Sequence, residues 1–181
     1  MPFAFELHFD ADAERAVREL WNALDLARIC DMRRNGTAPH ITLAIAEQKH
    51  IDDLKGELIS FVEGEPCFAF SLESIGTFSA AGVAFLSPRK TAQLESIHNR
   101  FHARFALPDA PNSSLYKPAA WTPHCTVATG VAPDKLAEAI EICRRLPLPV
   151  RGQIEQLVIV RWPDVTEQFR CRLVSPSAVK G

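Results

Sequence analysis

Two short segments of this chain are almost identical and lie nearly half a chain apart. Residues 39–44 read Pro-His-Ile-Thr-Leu-Ala and residues 123–128 read Pro-His-Cys-Thr-Val-Ala, in a chain of 181 residues. Each segment places a histidine and a threonine two positions apart in an apolar run that is typical of a β-strand. The duplicated imidazole and hydroxyl therefore predict a fold of two related halves, with one site to which both halves contribute.

Strand geometry assigns the residues of each segment to opposite faces. Side chains at positions i and i+2 of a strand point to the same side, roughly 6–7 Å apart. His40 therefore shares a face with Thr42, and His124 shares a face with Thr126. Cys125 points the other way, so we predict a buried structural thiol there rather than a nucleophile.

Hydrophobic periodicity predicts an α+β fold in which both halves repeat one order of elements: helix, loop, His-x-Thr strand, helix and hairpin. We predict a single domain over residues 1–181, with two pseudo-symmetric lobes, an antiparallel sheet and helices in each lobe, and repeat halves at approximately 1–89 and 90–181. The expected elements are a strand over 3–9, a helix capped by Asp10 or Asp12, helices over 51–62, 90–105 and 133–146, a loop over 107–120, His-x-Thr strands over 40–46 and 121–129, and hairpins over 67–86 and 150–174, the last with a turn at Pro163 and Asp164.

Composition excludes several classes of protein. Hydrophobic residues make up 47% and charged residues 23%, which suits a folded core rather than disorder. The formal net charge of −2 provides no broad basic surface for a long nucleic acid. No apolar run approaches the ~18 residues that span a bilayer, and the N-terminus does not read as a signal peptide. The five cysteines lack C-x-x-C spacing, so we expect free thiols and a cytoplasmic protein.

Two imidazoles and two hydroxyls in one cleft suit the chemistry of phosphate esters. In-line displacement at phosphorus needs a base on one side and an acid on the other, and imidazole titrates near ~6.5, so it can serve in either form. Threonine hydroxyls can donate to the non-bridging oxygens, where negative charge accumulates. This scheme requires no metal, and we expect no cofactor.

The two His-x-Thr segments, their half-chain separation and the chain length resemble the two-histidine (2H) phosphoesterase superfamily, which includes 2′-5′ RNA ligase-like proteins and cyclic nucleotide phosphodiesterases. The resemblance implies a bilobal fold with the motifs on central strands. It also implies metal-independent hydrolysis of a 2′,3′-cyclic phosphate or a related cyclic or 2′-5′ ester, with ligation as the reverse reaction. By analogy, His40 and Thr42 serve one side of the phosphorus, and His124 and Thr126 the other.

One departure from that family narrows the expected substrate. Some RNA-ligase-like members carry several basic residues before the second histidine, whereas here the stretch contains only Lys117. We therefore expect a small nucleotide or an RNA end as substrate, with no extended nucleic-acid surface. We also expect no membrane contact and a monomeric protein. Tyr116 and Trp121 are candidates to stack on a base, with core packing as the alternative.

The other histidines carry less signal. His8 shares a face with Glu6 on the first strand, and we expect it to be exposed to solvent, with a place in the lining of the cleft as the alternative. His98 and His102, at i and i+4 of a helix, form half of a potential metal site, yet no acidic or cysteine partner stands at motif spacing. Two functional alternatives remain beside the phosphodiesterase: a non-catalytic nucleotide- or phosphate-binding module on the same fold, and a metal hydrolase that uses these extra histidines.

Overall fold

The computed structural model describes residues 1–47, 51–162 and 164–175. Over these residues the chain forms four α-helices and seven β-strands, which confirms the predicted α+β class. In chain order they are β1 (Pro2–Phe9), α1 (Ala11–Leu26), β2 (His40–Glu47), α2 (Asp52–Val62), β3 (Phe68–Phe78), β4 (Val83–Pro88), α3 (Ala92–Arg104), β5 (Cys125–Ala128), α4 (Pro133–Cys143), β6 (Val150–Arg161) and β7 (Thr166–Arg172). Asp164 lies in a turn as predicted, whereas Pro163 lies outside the described residues.

A single antiparallel sheet contains all seven strands. Its order is β2-β1-β6-β3-β4-β5, and β7 pairs with β6 beside this path. Residues 150–154 of β6 pair with β3, whereas residues 154–161 pair with β1. The sheets predicted separately for the two lobes are therefore continuous, because the 12-residue β6 runs through both.

The two strands that carry the motifs are the outermost strands of this path, and yet they contact each other. Accumulated strand twist curves the sheet until its two ends meet. β5 is shorter than predicted and begins at Cys125, directly after His124. Pro123 has no N–H to donate to a ladder, which explains why the pairing starts only beyond it.

β1 presents different chemistry on its two faces. Phe3, Phe5, Leu7 and Phe9 are all buried on one face, as their alternation predicts. On the other face, the antiparallel register with β2 places Glu6 opposite Thr42 and His8 opposite His40. The apolar face thereby fixes which polar side chains meet in the cleft, since a slip of one residue would exchange the two faces.

Helices from each half of the chain pack on strands from the other half. α1 begins after Asp10, whose carboxylate accepts a hydrogen bond from Ala13 N at 2.8 Å, and packs against β5 and α4. α3 packs against β2. The repeat boundary near residues 89 and 90 stays a prediction about the sequence, while in space both halves supply elements to each lobe. None of the described helices is long and apolar enough to cross a membrane.

A close backbone contact ties the β3–β4 hairpin to the segment after β5. Gly82 has a φ of +60°, and a Cβ there would lie 2.4 Å from the carbonyl oxygen of Val131. The N–H of Val131 donates to the Gly82 carbonyl at 2.9 Å. Only glycine combines this conformation with this approach, and the contact holds the hairpin beside the second motif.

Candidate active site

The structure brings the two His-x-Thr segments together, since β2 and β5 contact each other. The Cys125 sulfur, next to His124 in the chain, accepts a hydrogen bond from the backbone of His40. His40 is also close enough for its charge to help lower the pKa of His124, although burial is the larger cause. The side chain of His40 is 19% exposed, and His124 is half-buried. Both imidazoles are thus partly accessible, on two motif strands that contact each other.

Each imidazole is held by the same short backbone contact. Nδ1 of His40 lies 2.7 Å from the carbonyl oxygen of Ala38, and Nδ1 of His124 lies 2.7 Å from that of Thr122. A carbonyl oxygen can only accept, so Nδ1 carries the proton in both rings. The tautomer leaves Nε2 of each ring unbonded to the backbone, so Nε2 is the atom available for acid–base work.

Two tryptophans fix the backbone of the motif threonines. Trp121 Nε1 donates to the Thr42 carbonyl at 3.0 Å, and Trp21 Nε1 donates to the Thr126 carbonyl at 3.3 Å. Both indoles are buried, so each bond satisfies a polar group that would otherwise lack a partner. Each donor comes from an element remote in sequence, so the two bonds fix the position of each motif relative to the rest of the fold.

Glu6 joins the first motif to His8. Its Oε2 lies 2.9 Å from His8 Nε2, and its Oε1 lies 3.5 Å from His40 Nε2. Glu6 and His8 are 3% and 5% exposed, so the expectation that His8 is exposed to solvent is wrong. The neighbouring strands β2 and β6 flank His8, and its burial lowers its pKa. His8 and Glu6 therefore belong to the site.

The second motif has apolar neighbours instead. His124 contacts Phe78 and Phe85, with ring centroids 5.1 and 5.3 Å away. Gly76 lies opposite Phe85 on β3, and a Cβ at Gly76 would meet the Phe85 ring at 2.4 Å. Phe78 remains 36% exposed beside His124. Sequence reasoning missed Phe78; its position at the end of the predicted hairpin strand was the only available signal.

Comparison with known proteins agrees with this geometry. The family model described as the 2′-5′ RNA ligase superfamily matches residues 9–166, which is most of the chain. The chain belongs to this superfamily. It is therefore a 2H phosphoesterase-type protein, and the resemblance inferred from the two motifs is confirmed. No curated protein matches the sequence significantly.

Solved structures share the fold at low sequence identity. Escherichia coli LigT in its apo form has a TM-score of 0.57 at 17% identity, over 96% of this chain and 99% of LigT. The Thermus thermophilus protein TT0787 has a TM-score of 0.57 at 15% identity, over 97% and 100% of the two chains. Kluyveromyces marxianus Usb1 has a TM-score of 0.54 at 12% identity, over 96% and 97%. These similarities confirm the predicted 2H phosphoesterase-like fold.

The two predicted aromatic contacts of this 2H protein differ in position. Trp121 is 8% exposed, and its ring stacks on His98 with centroids 3.7 Å apart. This burial does not fit the predicted stacking on a base, and Trp121 instead positions Thr42. Tyr116 is half-buried near Glu6, whose charge adds to burial in raising the Tyr116 pKa. Tyr116 therefore lies on the Glu6 side of the first motif.

His98 and His102 are structural in this 2H fold. Nε2 of His98 lies 2.8 Å from the Tyr116 carbonyl oxygen, and Nε2 of His102 lies 3.1 Å from that of Leu43. Because each Nε2 is bonded to a backbone carbonyl, the two histidines do not form the half of a metal site that their spacing suggested. Instead, they hold α3 against the first motif. Burial lowers the pKa of His98 to about 4. Burial also raises the pKa of Cys125 to about 12, which confirms the predicted inert thiol.

We expect Trp121→Phe and Trp21→Phe each to lower the free energy of unfolding by about 1–3 kcal/mol, because each leaves a buried carbonyl without its donor. Trp162 is 54% exposed and serves as a matched control, so Trp162→Phe should change stability by no more than about 0.5 kcal/mol. Urea denaturation measures all three. Equal losses in the three variants would contradict the role given to the indoles.

Proposed function

We propose that this protein is a metal-independent phosphodiesterase that opens 2′,3′-cyclic phosphates of nucleotides or RNA ends, or related cyclic or 2′-5′ phosphodiester linkages. One observation carries the proposal: two histidines on contacting motif strands are held in the same tautomer by a backbone carbonyl at Nδ1, and each is followed two residues later by a threonine. General acid–base catalysis at phosphorus needs this pairing. Ligation of a 2′-5′ linkage is the reverse of the same reaction.

The unequal surroundings of the two histidines assign their roles. His124 packs against phenylalanines, and burial lowers its pKa, so it is neutral at neutral pH and serves as the base. An imidazolium at His40 gains an ion pair with Glu6 at 3.5 Å. Among the described residues, no ion pair involves His124. We therefore assign His40 as the acid.

The reaction then balances without a metal. His124 Nε2 removes a proton from water as the water oxygen bonds to phosphorus. The bond from phosphorus to one ribose oxygen breaks, and His40 Nε2 gives its proton to that oxygen. Thr42 and Thr126 donate to the non-bridging oxygens, where charge accumulates in the transition state. The product is a phosphomonoester with a free ribose hydroxyl.

The substrate class rests on the cleft and on what related proteins bind. Structures of E. coli LigT have been solved with phosphate, with 3′-AMP and with ATP. In the present chain, Phe78 offers an exposed ring beside His124, at a position suited to stack on the base of a substrate bound at the cleft. Tyr116 offers a hydroxyl on the Glu6 side. These features suit a nucleotide or a short RNA end. The proposal further takes the protein to be monomeric and cytoplasmic.

We expect His40→Ala and His124→Ala each to lower kcat/KM on nucleoside 2′,3′-cyclic phosphates by about 10²–10⁴-fold, because each removes one acid–base group. The assay contains EDTA, and chromatography of the product identifies whether the 2′ or the 3′ bond breaks. The exposed control Trp162→Phe should keep wild-type activity. Saturable nucleotide binding without turnover by the wild type would instead favour the binding-module alternative.

We expect a bell-shaped dependence of kcat/KM on pH. The rate falls on the acidic side as His124 takes up a proton, and burial moves this limb below the usual imidazole value of ~6.5. It falls on the alkaline side as the general acid becomes deprotonated. Measuring kcat/KM from about pH 4 to about pH 9 covers both limbs and tests the bell shape. A rate that rises steadily with pH would contradict the two-histidine assignment.

We expect Phe78→Ala to raise KM for cyclic nucleotides while leaving kcat close to the wild-type value. Base stacking on an aromatic ring is worth about 1–3 kcal/mol, so KM should rise by about 5–150-fold. Phe78→Tyr keeps a stacking ring and should keep KM. A fall in kcat with unchanged KM would show that Phe78 acts by supporting His124 rather than by binding the base.

A further inference from the structure

Three side chains at the first motif form a donor set beyond what acid–base catalysis requires. Glu6, His8 and His40 each offer one ligand atom, and these atoms lie within 4.8 Å of one another. Glu6 and His8 are almost fully buried, so their positions are set by the sheet rather than by solvent. Hydrolysis by two histidines explains His40 and leaves His8 without a function.

We propose that Glu6, His8 and His40 bind a Zn²⁺-like transition-metal ion, and that this ion inhibits the enzyme by occupying Nε2 of His40. The inhibitory effect rests on the proposed function, whereas the binding does not. Two histidines and one glutamate are a common protein ligand set for zinc, with a fourth position left for water. The ion is here a regulator and not a cofactor.

The separations in the cluster match such a site. Zinc–ligand bonds of ~2.0–2.2 Å in tetrahedral geometry place neighbouring donor atoms about 3.3–3.5 Å apart. Glu6 Oε2 lies 2.9 Å from His8 Nε2, and Glu6 Oε1 lies 3.5 Å from His40 Nε2. All three donor atoms lie within 4.8 Å of one another, which is close to the spacing that a zinc ion imposes.

The supporting contacts also fit a metal. A metal-bound histidine normally donates its other ring nitrogen to a carbonyl or carboxylate, and His40 Nδ1 already lies 2.7 Å from the Ala38 carbonyl oxygen.

A cavity of about 220 Å³ opens onto Glu6 and His8 and supplies a path for the ion. Its charged wall consists of Glu6, Glu14, Glu167, Arg18 and Arg170. Each arginine is already paired with a glutamate at 2.6 Å, Arg18 with Glu14 and Arg170 with Glu167. The carboxylates outnumber the guanidinium groups, which favours a cation over an anion in this cavity.

The test measures binding directly, without substrate. Isothermal titration calorimetry of the full chain with Zn²⁺ should show one site per chain. Glu6→Gln and His8→Asn should each weaken it by roughly 100-fold or more, since even the outer-shell partners of zinc ligands contribute 10–100-fold. His124→Ala, placed across the cleft, should bind Zn²⁺ like the wild type although its hydrolytic activity is lost.

Two measurements on the wild type guard against variants that fail to fold and against binding by the free cysteines. Co²⁺ bound at this site should lack thiolate charge-transfer bands in its absorption spectrum. In nuclear magnetic resonance, Zn²⁺ should shift the ring signals of His8 and His40 and leave those of His98 unchanged. Absent binding, thiolate bands, or unchanged affinity in both Glu6→Gln and His8→Asn would overturn the site.

The inhibitory effect is checked separately. Hydrolysis of a 2′,3′-cyclic nucleotide by the wild type should fall in proportion to Zn²⁺ occupancy and return fully when EDTA is added. Activity that rises with occupancy, or stays constant, would overturn the inhibition. An enzyme without hydrolytic activity under any condition would refute the proposed function and leave the calorimetric result as it stands.

Discussion

The hydrogen bonds from two indoles to two threonine carbonyls are the contacts on which the site depends. The motif strands are the outer strands of the sheet path and share no ladder with each other. Trp21, on α1, holds Thr126, and Trp121, in the loop before β5, holds Thr42. Because each bond is buried, breaking it leaves a polar group unsatisfied, and the cleft therefore keeps its width.

The two halves of the site are alike in backbone and unlike in surroundings. Both histidines donate Nδ1 to the carbonyl two residues earlier, so both rings present Nε2. Around the first motif the neighbours are Glu6 and His8, whereas the second motif lies against phenylalanine rings. Acid–base chemistry at phosphorus needs one proton donor and one acceptor, and this difference in polarity supplies it from a duplicated segment.

The parts of the site that depend on neighbouring residues in the chain were predictable, whereas the parts that depend on contacts between distant segments were not. The pairs His40 with Thr42 and His124 with Thr126 follow from strand periodicity, which is local. The burial of His8 was predicted wrongly, because a β1 residue with a polar partner reads as a solvent-facing position until the neighbouring strands are known. For Trp121 the sequence left base stacking and core packing open, and the structure buries the ring against His98. Its actual partner, the Thr42 carbonyl, is remote in sequence.

The sequence by itself determined the α+β class, the order of elements and the family, since these depend on apolar periodicity and on a duplicated motif that any reading of the chain reveals. Tertiary structure alone decided that the lobes share one sheet through β6, that Glu6 and His8 join His40, and that Phe78 flanks His124. Cross-strand register and sheet curvature bring these residues together, and both arise from contacts between segments far apart in the chain.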